Sequence, residues 1–150
     1  MDLNKYALLL GSLVANLQSL EFALRTTLFN HNNRSTSGLK FEEIQVDDEV
    51  DENELTNYDT LGELIDKYNG QIASGDEASK IDTYMINIRD ALAHGRVSSS
   101  SPTEHMRIIK FNKPKSKKVI VNFSEEMSEL WMKSTIERVH NEVQKVNNKG

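Results

Sequence analysis

The chain has 150 residues, of which 37% are hydrophobic and 27% are charged, a composition typical of one globular domain over residues 1–150 rather than of a disordered segment. Its formal net charge of -5 excludes a uniformly basic nucleic-acid-binding surface, so any such binding needs a local basic patch. It contains no cysteine, which excludes a disulfide framework and a thiolate metal site, and we expect a cytoplasmic protein.

The first predicted helix covers residues 3 to about 29. Leucine and valine recur there at spacings of three and four, as on one face of a helix, at Leu10, Leu13, Val14, Leu17, Leu20, Leu24 and Leu28. Polar residues interrupt the pattern at Asn16, Gln18, Glu21 and Arg25. Because no uninterrupted apolar run reaches about 18 residues, we predict neither a signal peptide nor a transmembrane segment.

Glu21 lies on the apolar stripe of this helix. A carboxylate in that position needs a partner if it is buried. We favour Arg25, one turn away, because charge pairs four residues apart are common on helices. The alternative partner is Arg89, which Glu21 would then orient from behind.

An acidic segment separates the first helix from the second. After the turn-forming stretch HNNRSTSG (residues 31–38), eight acids and no base lie between Glu42 and Glu54, and we predict a solvated acidic loop over residues 42–56. A second helix is predicted over about residues 59–73. Its apolar face holds Tyr58, Leu61, Ile65, Tyr68 and Ile72.

The third predicted helix extends from a cap at Asp76 to Gly95, a natural C′ residue. Its apolar face holds Ile81, Tyr84, Met85, Ile88 and Leu92. The serine-rich stretch SSSSP (residues 98–102) is predicted to be a loop.

Beyond that loop the pattern changes to that of strands. The β-branched and aromatic stretches MRIIKFN and KKVIVNF flank KPKS, which predicts a β-hairpin over about residues 105–123. A last helix is predicted from Ser124–Met127 to about residue 147, with an apolar seam at Met132, Ile136, Val139, Val143 and Val146. The predicted fold class is mainly α: a four-helix bundle with a β-hairpin between the third and fourth helices.

The predicted hairpin is basic. It carries six bases with no acid between them, namely Arg107, Lys110, Lys113, Lys115, Lys117 and Lys118. Such a strip binds phosphate, but lysines also protect exposed strand edges from aggregation, and the sequence leaves both interpretations open.

The stretch INIRDALAHGRV, residues 86–97, carries the candidate site. On a helical wheel, Arg89, Asp90 and His94 surround the small Ala93 on the face that points away from the apolar stripe. Asp90 and His94 are four residues apart and can touch. Arg89 and His94 diverge by about 140°, so if both act on one phosphate, a second copy of the helix must complete the site by two-fold symmetry.

The chemistry of this group suits metal-independent cleavage of RNA. A helix C-terminus favours protonated His94, which can exchange a proton with the 2′-hydroxyl or the leaving oxygen. The Arg89 guanidinium can stabilise the negative charge of the transition state. The same residue types are also ordinary choices on an exposed helix face. The other histidines, His31, His105 and His140, share no ligand spacing, and we predict no metal and no cofactor.

The stretch RDALAHG resembles the motif of HEPN domains, small helical bundles named for higher eukaryotes and prokaryotes nucleotide-binding. That motif is an arginine, a polar residue and a histidine near the end of the third helix, matched here by Arg89, Asp90 and His94. The likeness covers about seven residues, and the order of the predicted helices agrees with it. Asn is common at the second position in active members, where this chain has Asp90.

The resemblance implies a HEPN-like fold and a metal-independent endoribonuclease of a toxin or phage-defence type. Such a protein acts as a homodimer through the third-helix face, and an antitoxin or other regulatory protein is a further expected partner. The expected catalytic residues are Arg89, Asp90 and His94, with Glu21 behind them. The residues expected to bind the RNA substrate are Arg96, Arg107, Lys110, Lys115 and Lys117. The alternatives are a non-catalytic HEPN-like module that binds RNA, a nucleotide or a protein, and a helical scaffold in which the motif is coincidental.

Overall fold

The structure is a computed structural model that describes residues 1–32, 40–99, 101 and 105–149. Over these residues the protein is mostly helical, with a small antiparallel sheet. The α-helices are α1 (Leu3–Asn32), α2 (Leu61–Gly70), α3 (Tyr84–His94) and α4 (Glu129–Lys149). The strands are β1 (Arg96–Ser98), β2 (Arg107–Phe111) and β3 (Val121–Glu126). The predicted turn at residues 31–38 and the predicted serine loop lie largely or partly outside the described residues.

The core forms where α1 packs along α4, with α2 and α3 against α1. The apolar stripe predicted for α1 is buried at Leu13, Leu17, Leu20, Leu24 and Leu28, but the inclusion of Val14 is wrong because its side chain is exposed. The seam predicted for α4 is buried at Met132, Val139, Val143 and Val146. The prediction that Tyr58 joins the core is wrong, because its side chain is fully exposed. Thr60 and Glu63 form a capping box that begins α2 at Leu61, so Tyr58 precedes the helix.

By length and composition alone, α1 is apolar enough to cross a membrane, with a mean hydropathy of 1.5 over an 18-residue window. Its position near the N-terminus and its share of the core give this little weight, since signal sequences and core helices pass the same test. The sequence pattern did not predict this property because we required an uninterrupted apolar run, and polar residues interrupt this one.

The third helix begins later than predicted. Asp76 does not cap it, because Asp76 precedes a separate 3₁₀ turn (Glu77–Ser79) and accepts a hydrogen bond from the Ser79 hydroxyl. The predicted apolar residue Ile81 lies before the helix and is nevertheless buried. The Asn69 side chain holds it there, accepting from the Ile81 N–H at 2.8 Å and donating to the Ile81 carbonyl at 3.0 Å.

Polar contacts tie the start of α3 to α4. The Asp82 carboxylate accepts from the Tyr84 N–H at 2.9 Å and pairs with Arg138, whose guanidinium lies 4.5 Å from the centre of the Tyr84 ring. The buried Glu142 accepts from the Asp82 N–H at 3.2 Å and pairs with Lys145 at 3.0 Å. Burial raises the pKa of Asp82, but the Tyr84 N–H and Arg138 lower it more, so the pKa lies below its ordinary value.

The predicted hairpin is part of a three-stranded sheet. β2 pairs antiparallel with β3, and the unpredicted β1 pairs with the other edge of β2. The chain turns between Lys115 and Lys118, where Ser116 and Lys117 have positive φ. β3 extends to Glu126, so the prediction that a helix begins at Ser124 is wrong.

Pairing with β2 keeps residues 124–126 in a strand, and the first turn of α4 follows it. There the Ser128 hydroxyl accepts from the Trp131 N–H at 3.1 Å, the contact expected of a helix cap. Ile108 and Phe123 are buried on the helix-facing side of the sheet, where they pack with Met127 and Met132 of the α4 end.

Gly95 ends α3 in a way that differs from the prediction. Its φ of -72° and ψ of 173° are extended, whereas a typical C′ glycine is left-handed. The glycine is required by close approach: a Cβ atom there would lie 2.4 Å from the Ala91 carbonyl oxygen and 3.1 Å from both Ile108 Cγ1 and the Ile109 oxygen. Only a residue without a side chain lets α3 pass directly into β1 against β2.

We expect Gly95→Ala to lower the free energy of unfolding by about 1–3 kcal/mol, because the added methyl group overlaps backbone atoms. Urea denaturation followed by circular dichroism measures this. Gly11→Ala is the matched control: Gly11 lies in α1 with no atom within 4 Å of the added Cβ, so alanine should stabilise the protein by about 0.5–1 kcal/mol. Equal stability of Gly95→Ala and wild type would contradict the close-contact explanation.

We expect Asp82→Asn to cost about 1 kcal/mol of stability at pH 7, since the lost charge–charge hydrogen bond is partly screened by solvent. The folded-state pKa of Asp82 lies below its unfolded value. The carboxylate therefore stabilises the fold above about pH 4, and that contribution disappears as the pH falls through the folded-state pKa. Parallel urea titrations from pH 7 to pH 2.5 should show the two curves converging on the acid side, and a constant difference would disprove the assignment.

Candidate functional site

The outward face of α3 carries the sequence motif as predicted. Ile88 and Ala91 on the opposite side of the helix are buried, whereas Ala93 and His94 are exposed. The side chains of Arg89 and Asp90 are 38% and 35% exposed, so they are accessible without being free in solvent. The hydrophobic period thus predicted correctly which side of the helix presents the polar group.

Contacts within the motif differ from the expected ones. The Asp90 carboxylate lies 3.3 Å from Nη1 of Arg89, its sequence neighbour. In this described stretch of the chain, no hydrogen bond joins Asp90 to the imidazole of His94. Asp90 therefore partly neutralises the cation that would bind phosphate, and it does not act on the His94 imidazole.

A groove lies beside the motif between α1 and α3. Its volume is about 250 Å³, and its lining consists of Val14, Leu17, Gln18, Glu21, Arg89, Leu92 and Ala93. Arg89 and Ala93 thus face α1 across an open, largely apolar depression. Gln18 was not singled out from the sequence, where it was only an interruption of an apolar stripe; its amide is one of the polar groups in the groove.

Glu21 lines the same groove as Arg89, but its carboxylate pairs with Arg25, at 3.2 Å from both Nε and Nη2. The structure therefore has the partner that we favoured. Glu21 contributes a negative charge to the groove and has no ion pair with Arg89 in the described chain.

Arg25 has a role that the sequence did not reveal. Its side chain is only 12% exposed and donates to the Glu54 carbonyl at 2.8 Å, to Asn57 Oδ1 at 2.9 Å and to the Asp59 carbonyl at 2.7 Å. These acceptors lie 29 to 34 residues away, beyond the reach of helical spacing arguments. Arg25 thus fixes the end of the predicted acidic loop, and the residues just after it, to α1.

The predicted RNA-binding residues are spread over the sheet. Arg96, the first residue of β1, adjoins the motif, because its Nη1 donates to the His94 carbonyl at 2.9 Å. Lys110 is half-buried and pairs with Phe123 of β3. It follows Ile109, the residue of β2 that pairs with Arg96. Arg107 contacts the Ser124 hydroxyl at 3.2 Å on the exposed side of the sheet.

The remaining two, Lys115 and Lys117, are exposed at the turn between β2 and β3. All five predicted RNA-binding residues lie in the described part of the chain, and among them Arg96 is the one that touches the motif. A substrate that reaches both the motif and the turn must therefore extend along the sheet.

Among the described residues, no group of three histidine, aspartate or glutamate side chains is placed to hold a metal ion. His105 lies 3.9 Å from Glu126, His31 lies in the last turn of α1, and His140 is exposed on α4. No family model, curated protein or solved structure matches this chain. The interpretation of the site therefore rests on its own residues.

We expect Asp90→Asn to strengthen binding of short single-stranded RNA by about threefold to tenfold, because it removes a negative charge from the Arg89 guanidinium. Fluorescence anisotropy with labelled RNA measures the dissociation constant. Asp66→Asn, an exposed change of equal charge on α2, should leave that constant unchanged. An equal gain in both variants would mean that only net charge matters.

Proposed function

We propose that this protein is a HEPN-like four-helix endoribonuclease that cuts RNA without a metal ion at a composite site formed by two copies of α3. The observation that carries the proposal is the exposure of Arg89 and His94 around the small Ala93, on the side of α3 that faces away from the core. A buried arginine or histidine would give no such surface for a substrate.

His94 is proposed to exchange the proton of the reaction. It is the last residue of α3, and its side chain is exposed where a substrate could reach it. Attack of the 2′-oxygen on phosphorus breaks the bond to the 5′-oxygen and leaves a 2′,3′-cyclic phosphate and a 5′-hydroxyl. The imidazole takes the proton of the 2′-hydroxyl or supplies the one needed by the leaving oxygen.

Arg89 is proposed to bind the phosphate and the charge that builds up on it during attack. On its own helix, Arg89 points about 140° away from His94. A second copy crossing over Ala93 supplies the missing group, and the adjacent groove leaves room beside Arg89 for part of a nucleotide. Arg96, beside the His94 carbonyl, adds a second cation to the same end of the helix.

Asp90 is proposed to position Arg89, which it contacts, rather than His94. Glu21 acts from the far side of the groove. Arg107, Lys115 and Lys117 extend the cationic surface along the exposed side of the sheet, whereas half-buried Lys110 adds its charge on the side of Phe123. The proposed setting is a cytoplasmic toxin or phage-defence protein restrained by an antitoxin or another regulatory protein, as the likeness to HEPN domains implies.

One observation favours the second candidate, a non-catalytic HEPN-like module that binds RNA, a nucleotide or a protein. The ion pair between Arg89 and Asp90 holds the guanidinium beside a carboxylate, and among the described residues no carboxylate pairs with the His94 imidazole. A binding surface tolerates this arrangement better than a catalytic one does.

We expect wild-type protein to cut labelled total RNA in EDTA and to leave 2′,3′-cyclic phosphate ends. His94→Ala should lower the rate by about 10²–10⁴-fold because it removes the proton-transfer group, and Arg89→Ala by about 10²–10³-fold because it removes transition-state stabilisation. His140→Ala, at an exposed position on α4, is the control and should keep full activity.

Mixing the two inactive variants tests the composite site separately. A mixed dimer contains one intact Arg89 and one intact His94 on opposite copies, so partial activity should return. If folded wild-type protein binds RNA without cutting it, the binding module replaces the nuclease. If activity is present but mixing restores none, the two-copy arrangement is wrong.

A further inference from the structure

The β2–β3 region forms a surface that combines positive charge with exposed aliphatic side chains. We call residues 107–121 the basic hairpin; it holds six bases and no acid. Its exposed apolar residues are Phe111, Val119, Ile120 and Val121. Phosphate binding accounts for the lysines. It does not account for Ile120, which is 67% exposed and offers RNA neither a charge nor an aromatic ring.

A second surface has the opposite charge and the same apolar character. We call residues 41–52 the acidic segment; it holds seven acids and no base, and all seven acids are exposed. Its exposed apolar residues are Phe41, Val46 and Val50, with Val46 90% exposed. Solvation accounts for the acids but not for three apolar side chains presented among them.

Each surface is held at a different end of α1. The Phe41 ring packs edge-on against Phe22 at 5.7 Å, and Arg25 holds the chain just after the acidic segment. The sheet instead packs on the N-terminal part of α1, where Tyr6, Leu9 and Leu10 contact its apolar side. Twelve residues of helix separate Leu10 from Phe22, which is about 18 Å along the axis.

The two surfaces therefore do not neutralise each other within one chain. In the described residues their ion pairs are local ones, such as Lys40 with Glu43 and Arg107 with Glu126. We propose that the acidic segment of one copy docks on the basic hairpin of a second copy, and that the contact is made twice about a two-fold axis.

A second copy fits better than an unrelated partner because the chain itself supplies both halves. An antiparallel arrangement places the acidic end of each α1 beside the basic end of the other, so that one symmetric dimer satisfies both charged surfaces and covers both sets of apolar side chains. The contact is independent of RNA cleavage. One consequence does rest on the proposed function: an occupied hairpin withholds its lysines from RNA, so self-association restrains substrate binding.

Cross-linking with introduced cysteines tests this contact directly, since the native chain has none. Nucleic-acid-free Val46→Cys and Ile120→Cys proteins, one of them tagged, are mixed and treated with a short bis-maleimide. We expect a cross-linked heterodimer whose yield falls about tenfold from 0.1 M to 1 M salt, as the screening length shortens from about 10 Å to about 3 Å. In the control reaction Leu130→Cys takes the place of Ile120→Cys. Leu130 lies on α4 and is more exposed than Ile120, and this variant should give little product.

Charge reversal adds a rescue experiment. Lys115→Glu, Lys117→Glu and Lys118→Glu together in the Ile120→Cys protein should abolish the cross-link. Reversing Glu49, Asp51 and Glu52 to lysine in the Val46→Cys partner should restore it. Thermal unfolding of each variant alone separates loss of contact from loss of fold.

The proposal is overturned if the cross-link yield equals that of the Leu130→Cys control, or if charge reversal in folded proteins leaves the yield unchanged. If the hairpin variant loses RNA or anionic vesicle binding while no cross-link forms, the hairpin serves that ligand instead. Because the cross-link is measured without RNA, its failure leaves the proposed nuclease intact, and an inactive protein leaves the contact intact.

Discussion

The backbone contact at Gly95 is the constraint on which the candidate site depends. The Gly95 amide donates to the Ala91 carbonyl at 2.7 Å, and in the next residue the chain is already in a strand paired with β2. No loop separates the last helical residue, His94, from the first strand residue, Arg96. The two side chains therefore extend from one rigid helix–strand junction, and the buried Ile108 of β2 packs against it.

The other end of α3 is held by charge rather than by close packing. Asp82 and Glu142 connect the residues before the helix to α4 through Arg138 and Lys145. Because both ends of this 11-residue helix are fixed, its inner side packs in the core and its outer side has one orientation. The proposed contact with a second copy would benefit from this, because preorganisation lowers the entropy lost on association.

Apolar periodicity was enough to place the long helices, because burial of α1 and α4 is a regular stripe over many turns. It failed at the ends of elements, where local contacts decide: a separate 3₁₀ turn follows Asp76, and strand pairing keeps Ser124 out of α4. The three residues of β1 are all exposed, and they form a strand because they pair with β2. The local sequence therefore shows no strand pattern. The same holds for the site. Which residues face outward follows from the helical period, whereas the pairing of Asp90 with Arg89 depends on side-chain conformation.

The net charge of -5 conceals a strong separation of charge. Seven acids lie in the acidic segment, which packs on α1 at Phe22, and six bases lie in the basic hairpin towards the other end of that helix, so the net charge describes neither surface. A polyanion approaching such a molecule is repelled from one end and attracted to the other, over a distance set by the ionic strength. Since α3 joins the sheet directly at Gly95, the attractive end is also the end that carries His94 and Arg96. The charge distribution and the helix–strand junction thus favour the same binding place. There we expect an anionic ligand, or the acidic segment of another copy, to bind.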